Sequence, residues 1–301
     1  MHGTDPGLRA DLSLRLAGLG QRRPEWQAWL GLLGEAERAR DDAGWRTAVD
    51  VTELGRIGVG SSAEVPLLHG RVLTVEAGRV GQLVRRLMAT AASGNMALAA
   101  PLDGYRPAPE EAMRLLAAAV RQDLAEIRAL AAKSGIDPGA MTSIAHLAAF
   151  PLLQSCGRLL EGSMPPFWPH GYCPICAAWP ILAERRGLDR TRRLRCGRCD
   201  GEWQAQWLSC IYCGEREHEH LGLLIPEERG ERLNLETCAS CGGYLKSVAT
   251  LQRIPALELL LQDLETVELD LVALDRGYGR PEESGFSLDV RIADRNSGAV
   301  W

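Results

Sequence analysis

The sequence has almost no lysine and no long apolar run. Lys133 and Lys246 are the only lysines among 301 residues, so the positive charge is almost entirely arginine. No apolar run approaches the roughly 20 residues that a membrane-spanning helix needs. The first residues, MHGTDPGLRADLSLRL, lack the basic and then apolar order of a signal peptide. The sequence therefore predicts a cytoplasmic protein without a membrane span.

Recognisable catalytic motifs are missing as well. No nucleophile stands beside a base, and no pair of carboxylates forms a known motif. The stretch GRIGVGSS (55–62) contains glycines but lacks the Gly-Lys-Ser/Thr ending of a phosphate-binding loop. The formal net charge of −5 excludes a global electrostatic attraction to nucleic acid. We therefore expect a protein that is not an enzyme.

The first part of the chain, residues 1–165, has the pattern of a helical domain. One helix is predicted from Pro109 to about Ser134, and another begins near Pro138 and is expected to kink at Pro151. Short loops between such helices favour a bundle. An amphipathic stripe within GRVGQLVRRLMATAA is formed by Val80, Leu83, Val84, Leu87 and Met88. The inward face of the helix from Pro109 is predicted to hold Met113, Leu116, Val120, Leu124, Ile127 and Leu130.

Cysteine is abundant in one region of the chain. Nine cysteines are present, and eight of them lie between positions 173 and 241 in four CxxC pairs. In a cytosolic chain such clustering argues against structural disulfides and for a bound metal. The pairs are Cys173 and Cys176, Cys196 and Cys199, Cys210 and Cys213, and Cys238 and Cys241.

The CxxC spacing has a simple physical meaning. Two intervening residues let a tight turn, here called a knuckle, direct both sulfurs at one metal ion about 2.3 Å away. Backbone N–H groups of the turn then donate to those sulfurs. The residue after the second cysteine often needs a positive φ. Gly214 and Gly242 suit that position, Asp200 tolerates it, and Ala177 fits it least well.

Two knuckles make one tetrahedral site, so four knuckles predict two sites. Intervals of 19 and 24 residues suit the hairpin inside a ribbon module, whereas the interval of 10 residues suits a linker. Site one is therefore predicted to consist of Cys173, Cys176, Cys196 and Cys199, and site two of Cys210, Cys213, Cys238 and Cys241. An interleaved pairing, first knuckle with third and second with fourth, remains open.

The predicted fold class is α+β: an N-terminal helical bundle, two tandem rubredoxin-like or zinc-ribbon modules, and a C-terminal helical tail. The expected ranges are 1–165 for the helical domain, 166–206 and 207–250 for the ribbons, and 251–301 for the tail. The tail is acidic, because residues 257–301 hold ten acidic residues against four arginines. Its final twenty residues look loosely structured.

Other functions for this region stay open at this point. A redox-active dithiol needs only one CxxC, placed at the start of a helix in a βαβ unit. A nucleic-acid-binding zinc ribbon is the alternative function, since residues 184–198 hold seven arginines against two acids. Four thiolates bind zinc and iron alike, so the ligands leave the metal open, with zinc the commoner occupant.

The cysteine region resembles a known family. The runs CPICAAWP, LRCGRCDGEW, SCIYCGE and ETCASCGGYLK, followed by LDLVALDRGYGRP, are similar to the formate dehydrogenase accessory protein family of the FdhE type. The close similarity extends over about residues 166–281. Alanine follows the first knuckle where the family usually has glycine.

The resemblance implies a cytoplasmic assembly factor for respiratory formate dehydrogenase. Such a factor is expected to bind the catalytic subunit before export and to carry rubredoxin-like iron on its CxxC motifs. The resemblance implies that the eight paired cysteines bind metal. It favours iron, with zinc as the occupant after heterologous expression. It implies no catalytic residue.

Overall fold

A computed structural model of the chain describes residues 6–40, 42–45, 65–93, 105–165, 167–226 and 232–301. The stretch GRIGVGSS lies outside these described residues. The chain divides into two compact units. The first consists of Met1–Ala48, Val72–Leu152 and Arg291–Trp301, and the second consists of Val49–Arg71 and Leu153–Val290. None of the helices in the described ranges is long and apolar enough to cross a membrane.

The first unit is mainly helical, which confirms the predicted helical N-terminal half. The last turns of its final helix belong to the second unit. The helices are α1 (Pro6–Arg22), α2 (Gln27–Arg40), α3 (Ala77–Ser93), α4 (Pro109–Arg121), α5 (Leu124–Ser134) and α6 (Pro138–Leu160).

Helix α3 shows why this sequence folds as helices. Its predicted apolar stripe is buried at all five positions, which are Val80, Leu83, Val84, Leu87 and Met88. Burying each such side chain stabilises the fold by roughly 1.5–3 kcal/mol. The prediction of this amphipathic helix is confirmed.

The single helix predicted from Pro109 to Ser134 is wrong, because the structure has two helices there. Gln122 adopts a left-handed conformation (φ 61°) and ends α4. Asp123 then caps α5, since its carboxylate accepts a hydrogen bond from the backbone N–H of Glu126 at 3.0 Å. The sequence does carry a signal for this break, the Asp-x-x-Glu pattern of Asp123 and Glu126, which is typical of a helix start. It lies within a stretch of continuous apolar periodicity. Pro151 lies within α6, and the helix continues past it to Leu160.

The last residues of the chain correct another expectation. Strand β8 (Val290–Asp294) pairs with β1 (Arg71–Val75), so the final twenty residues are not loosely structured throughout. The carboxylate of Asp294 also accepts a hydrogen bond from the backbone N–H of Ala77, the first residue of α3, at 2.9 Å. The partner strand lies more than 200 positions away in the chain, which explains why the local pattern gave no sign of the pairing.

The second unit is built on a six-stranded sheet with the order β4-β3-β2-β7-β6-β5. All neighbouring strands are antiparallel except β2 and β7, which run parallel. The first predicted ribbon supplies three adjacent strands and the second supplies the other three, so both contribute to one continuous sheet. The ribbon boundaries stay a prediction. The strands are β2 (Leu182–Arg186), β3 (Thr191–Arg195), β4 (Glu202–Gln204), β5 (Leu221–Leu224), β6 (Leu233–Cys238) and β7 (Tyr244–Thr250).

Two helices after the sheet, α7 (Ala256–Leu264) and α8 (Val267–Asp275), form the predicted helical segment of the tail. They contribute Leu259, Leu269 and Ala273 to a core that also holds residues of β2, β6 and β7. The ammonium of Lys246 on β7 is buried and lies 3.0 Å from Asp263 and 2.6 Å from Asp270. These ion pairs attach the helices to one face of the sheet.

Candidate metal centres

The four knuckles share one backbone geometry. In each, the first cysteine accepts a hydrogen bond at its carbonyl from the N–H four residues later, at 2.9–3.2 Å. Its own N–H donates to the carbonyl five residues later, at 2.8–2.9 Å. These two bonds close the turn and place both cysteine side chains on its inner side. The local spacing therefore produces the same turn four times.

Each turn also contains the predicted positive φ after its second cysteine. The φ values are 63° for Ala177, 60° for Asp200, 77° for Gly214 and 68° for Gly242. Only glycine adopts this region without steric cost. Ala177 therefore has a strained backbone at the first knuckle. This agrees with the expectation that alanine fits the position least well.

The eight sulfurs fall into two groups that follow the tandem pairing and not the interleaved one. Within each group the four Sγ atoms all lie within 4.8 Å of one another. The shortest separations are 3.5 Å in the first group and 3.6 Å and 3.7 Å in the second. None of the eight cysteines forms a disulfide, because a disulfide would bring two sulfurs to about 2.05 Å.

These distances fit a tetrahedral ion. Metal–sulfur bonds of about 2.3 Å place tetrahedral ligands about 3.8 Å apart. Backbone N–H groups of Ile175 and Arg198 point at the sulfurs of Cys173 and Cys196, both at 3.4 Å, which are the hydrogen bonds that thiolate ligands of a metal usually accept. Metal ligation by the eight cysteines stays a prediction, and the donor set suits it.

Burial is the physical reason to expect a cation at site one. All four of its cysteines are buried, and desolvation raises the pKa of Cys173 and of Cys199 well above that of an ordinary thiol. Four thiolates in such a place would repel one another strongly without a positive ion between them. A bound metal would supply that charge, since thiolates, not thiols, are metal ligands.

Site two differs from site one in exposure. Cys238 is buried and Cys210 is half-buried, whereas Cys213 and Cys241 are exposed. His220, in the segment GEREHEH, contacts Glu215 at 2.9 Å and lies outside the sulfur group. The two sites are therefore chemically alike but unequally open to solvent.

Two glycines position the knuckles, and sequence reasoning missed both. A Cβ on Gly157 of α6 would stand 1.8 Å from the carbonyl oxygen of Cys199, and one on Gly171 would stand 1.8 Å from that of Ile211. Both backbones approach so closely that only glycine fits. The signal was a glycine in mid-helix, in PLLQSCGRLL, where it otherwise costs helix stability.

Three of the seven arginines in residues 184–198 are buried, namely Arg185, Arg192 and Arg195. Arg195 is fully buried against Glu184, which is also fully buried, and the Arg195 guanidinium also donates to Asp200 at 2.6 Å. Arg192 is buried and donates to Glu236. A phosphate backbone is gripped by exposed cations. These arginines therefore support the sheet and do not favour the nucleic-acid alternative.

Comparisons with known proteins find similarity to FdhE sequences. Residues 208–286, which contain site two, match the family model described as FdhE, C-terminal domain. An FdhE homolog of Stutzerimonas stutzeri strain A1501 is 37% identical over 111 residues, which are 36% of this chain and 35% of the relative. One of Aquifex aeolicus strain VF5 is 28% identical over 120 residues, which are 39% of this chain and 42% of the relative. The resemblance to the FdhE family is confirmed.

The FdhE likeness extends to the fold. The crystal structure of the FdhE protein from Pseudomonas aeruginosa aligns with 94% of this chain and 96% of its own, with a TM-score of 0.56 and 24% identity. At that identity the alignment shows a shared fold. The sequence matches span only about 35–42% of the length of these curated FdhE relatives.

Proposed function

We propose that this protein is a cytoplasmic accessory factor for respiratory formate dehydrogenase that binds the catalytic subunit before export. The FdhE resemblance supports this role, and the described helices include none that could span a membrane. The protein acts in this proposal as a binding and maturation factor without catalytic activity of its own.

The observation that carries the proposal is the closed donor set of both sites. Each group offers four sulfurs, and no third group of possible ligands occurs among the described residues. A tetrahedral ion held by four cysteines keeps no open position for water or substrate. Such an ion stabilises the fold around it and leaves the neighbouring surface to bind a partner.

We propose iron as the ion in the cell and zinc as the alternative occupant after heterologous expression. When bound, iron would supply a one-electron centre of the rubredoxin type, whereas zinc would be structural. The eight cysteines would hold either ion. Backbone N–H groups that point at the sulfurs and a cation among four thiolates suit iron and zinc equally.

The test is a pull-down with metal analysis. The tagged full chain is isolated anaerobically from formate-respiring cells, and co-purified proteins are identified by mass spectrometry. We expect the catalytic subunit of formate dehydrogenase together with about two metal ions per chain, because each tetrahedral site takes one ion. A Cys176→Ser, Cys199→Ser double variant should lose one ion, while Cys156→Ala, outside both sites, should keep both. Absence of the subunit, or a metal count near zero, would refute the proposal.

A further inference from the structure

An apolar cavity opens beside site two on the sheet face opposite to α7 and α8. Its volume is about 170 Å³. The register explains its position, because Leu223 faces Glu236, Leu221 faces Cys238, and Glu236 faces Leu245 across adjacent strands. The alternate residues of β6, Leu233 and Leu235, point into the helix-covered core instead. We call this cavity the β5 groove, lined chiefly by Trp207, Leu208, Tyr212, Leu221, Leu223 and Glu236.

Three large apolar side chains that line the β5 groove are exposed to solvent. Trp207 is 48% exposed, Leu208 69% and Leu223 58%. Leu208 also has a φ of 50°, in the left-handed region that leucine rarely adopts. Backbone strain of this kind persists where the surrounding structure imposes it and is concentrated at binding sites. An exposed leucine in a strained conformation at the mouth of an apolar groove points to a contact made by another molecule.

Some hydrogen-bonding groups at the β5 groove have no partner among the described residues. The Oε2 atom of Glu236 accepts a hydrogen bond from Arg192, whereas its Oε1 atom is buried and has no hydrogen-bond partner in the described part of the chain. Strand β5 stands at the end of the strand order, and no described strand pairs with its outer edge. Because Arg192 already offsets the charge of Glu236, a neutral donor on a partner side chain fits this oxygen. An added strand would pair with the edge of β5 and direct alternate side chains to the groove face of the sheet.

The negative charge near the β5 groove favours strands that carry a basic residue. The segment that enters β5, residues 215–220, holds three glutamates and one arginine, a balance of two negative charges with both histidines neutral. Glu217 and Glu219 are exposed. Acidic groups at the end of a strand edge favour a partner with a basic residue at the corresponding position.

We propose that the β5 groove binds an extended segment of a protein partner, with one large apolar side chain in the cavity and a basic residue beside Glu217 and Glu219. The segment adds to the edge of β5 and directs this apolar side chain from there onto the groove face of the sheet. This inference rests on the proposed function in one respect, since the partner to be tested is the formate dehydrogenase catalytic subunit.

The experiment measures binding of the purified, unexported catalytic subunit to the full-length, metal-loaded chain. The groove variants are Leu223→Ser, Leu208→Gly and the double variant Glu217→Gln, Glu219→Gln. Leu251→Ser is the matched control, because Leu251 is 74% exposed and does not line the groove. Leu208→Gly relieves a positive φ, so its thermal midpoint should stay equal or rise while its binding falls. Opposite changes in stability and binding separate a docking role from a structural one.

We expect Leu223→Ser and Leu208→Gly each to raise Kd about tenfold, as truncation of an interface anchor does. The glutamine pair should raise Kd at low salt and flatten its salt dependence, and Leu251→Ser should leave Kd within about twofold. If the wild type binds and every groove variant binds equally well, the groove proposal is wrong and the proposed function stands. If the wild type does not bind the subunit, both are wrong. If Leu223→Ser only converts a dimer to a monomer, the occupant is a second copy, and the proposal is overturned.

Discussion

Gly157 of α6 lies directly against the backbone of Cys199. A Cβ on Gly157 would stand 1.8 Å from the Cys199 carbonyl oxygen, and the neighbouring Gln154 donates from its side chain to the carbonyl of Arg198 at 3.1 Å. The end of α6 therefore fixes the second knuckle of site one. A helix far from the cysteines in sequence thus helps to shape the metal site.

Gly157→Ala should destabilise the protein and weaken metal retention at site one. The added methyl group has no room, and overpacking at a rigid contact costs about 1–3 kcal/mol or more. Denaturant unfolding and the metal-to-protein ratio after dialysis measure the two effects. Gly162→Ala is the control, because no atom of the described residues lies within 4 Å of its Cβ position. Equal stability of the two variants would contradict the close approach.

Ala177→Gly should raise stability, because it removes the strain of a positive φ at the first knuckle. The gain is expected to be about 0.5–1 kcal/mol, since the relief of 1–2 kcal/mol is partly offset by the greater chain entropy of glycine. The reverse change at an equivalent position is Gly214→Ala, where a Cβ meets nothing within 4 Å in the part of the chain that the structure describes. That variant should lose about the same amount. Midpoints of urea unfolding at constant slope measure both, and shifts in the same direction would show that φ is not the cause.

The two sites should lose metal at different rates. Cys213 and Cys241 of site two are exposed, whereas every cysteine of site one is buried. Treatment with a chelator and a thiol-labelling reagent should release one ion first and label Cys210, Cys213, Cys238 and Cys241 before the others. Peptide mapping of the label against time measures the order. Simultaneous labelling of all eight cysteines would mean that the unit opens as a whole and that local exposure does not control release.

Asp294 should contribute stability that depends on pH. Hydrogen bonds from the backbone N–H of Ala77 and from Ser297 lower the pKa of this carboxyl to about 2, below its usual value near 3.8. A lowered pKa means that the stabilisation is complete above about pH 4 and is lost as the pH falls towards 2.

Asp294→Asn should therefore be less stable than the wild type by about 1 kcal/mol near neutral pH, as for loss of a helix cap, and the difference should shrink below pH 4. The free energy of unfolding is measured for both proteins over this pH range. Taking the difference between them cancels the pH effects that both share. Asp289→Asn, an exposed aspartate on the same segment, serves as control. A difference that is constant with pH would contradict the prediction.

Much of the fold and of the site could be predicted because its determinants are local. The CxxC spacing and the small or acidic residue after each second cysteine define four turns that close through bonds within six residues. The stripe of α3 likewise follows from its own periodicity. The break at Asp123 was missed for a local reason too, since apolar periodicity masked a capping signal.

Pairing over long distances could not be predicted from the same patterns. Strand β2 lies beside β7 in parallel, with Ala183 opposite Ser247, and β8 lies beside β1. Nothing in the alternation of one strand specifies which distant strand it joins. The same holds for Arg195, whose charge marks it as a surface residue until the fold brings the buried Glu184 against it.

The four turns and their eight cysteines follow from the sequence alone, because the spacing of two residues and the backbone conformation after it are local properties of a short peptide. The burial of site one, the partial exposure of site two and the burial of Arg185, Arg192 and Arg195 follow from tertiary packing. So does the outer edge of β5, with which no described strand pairs, beside an apolar groove. Burial and edge exposure depend on which remote segments pack together, and contacts between remote segments leave no periodic mark in either one.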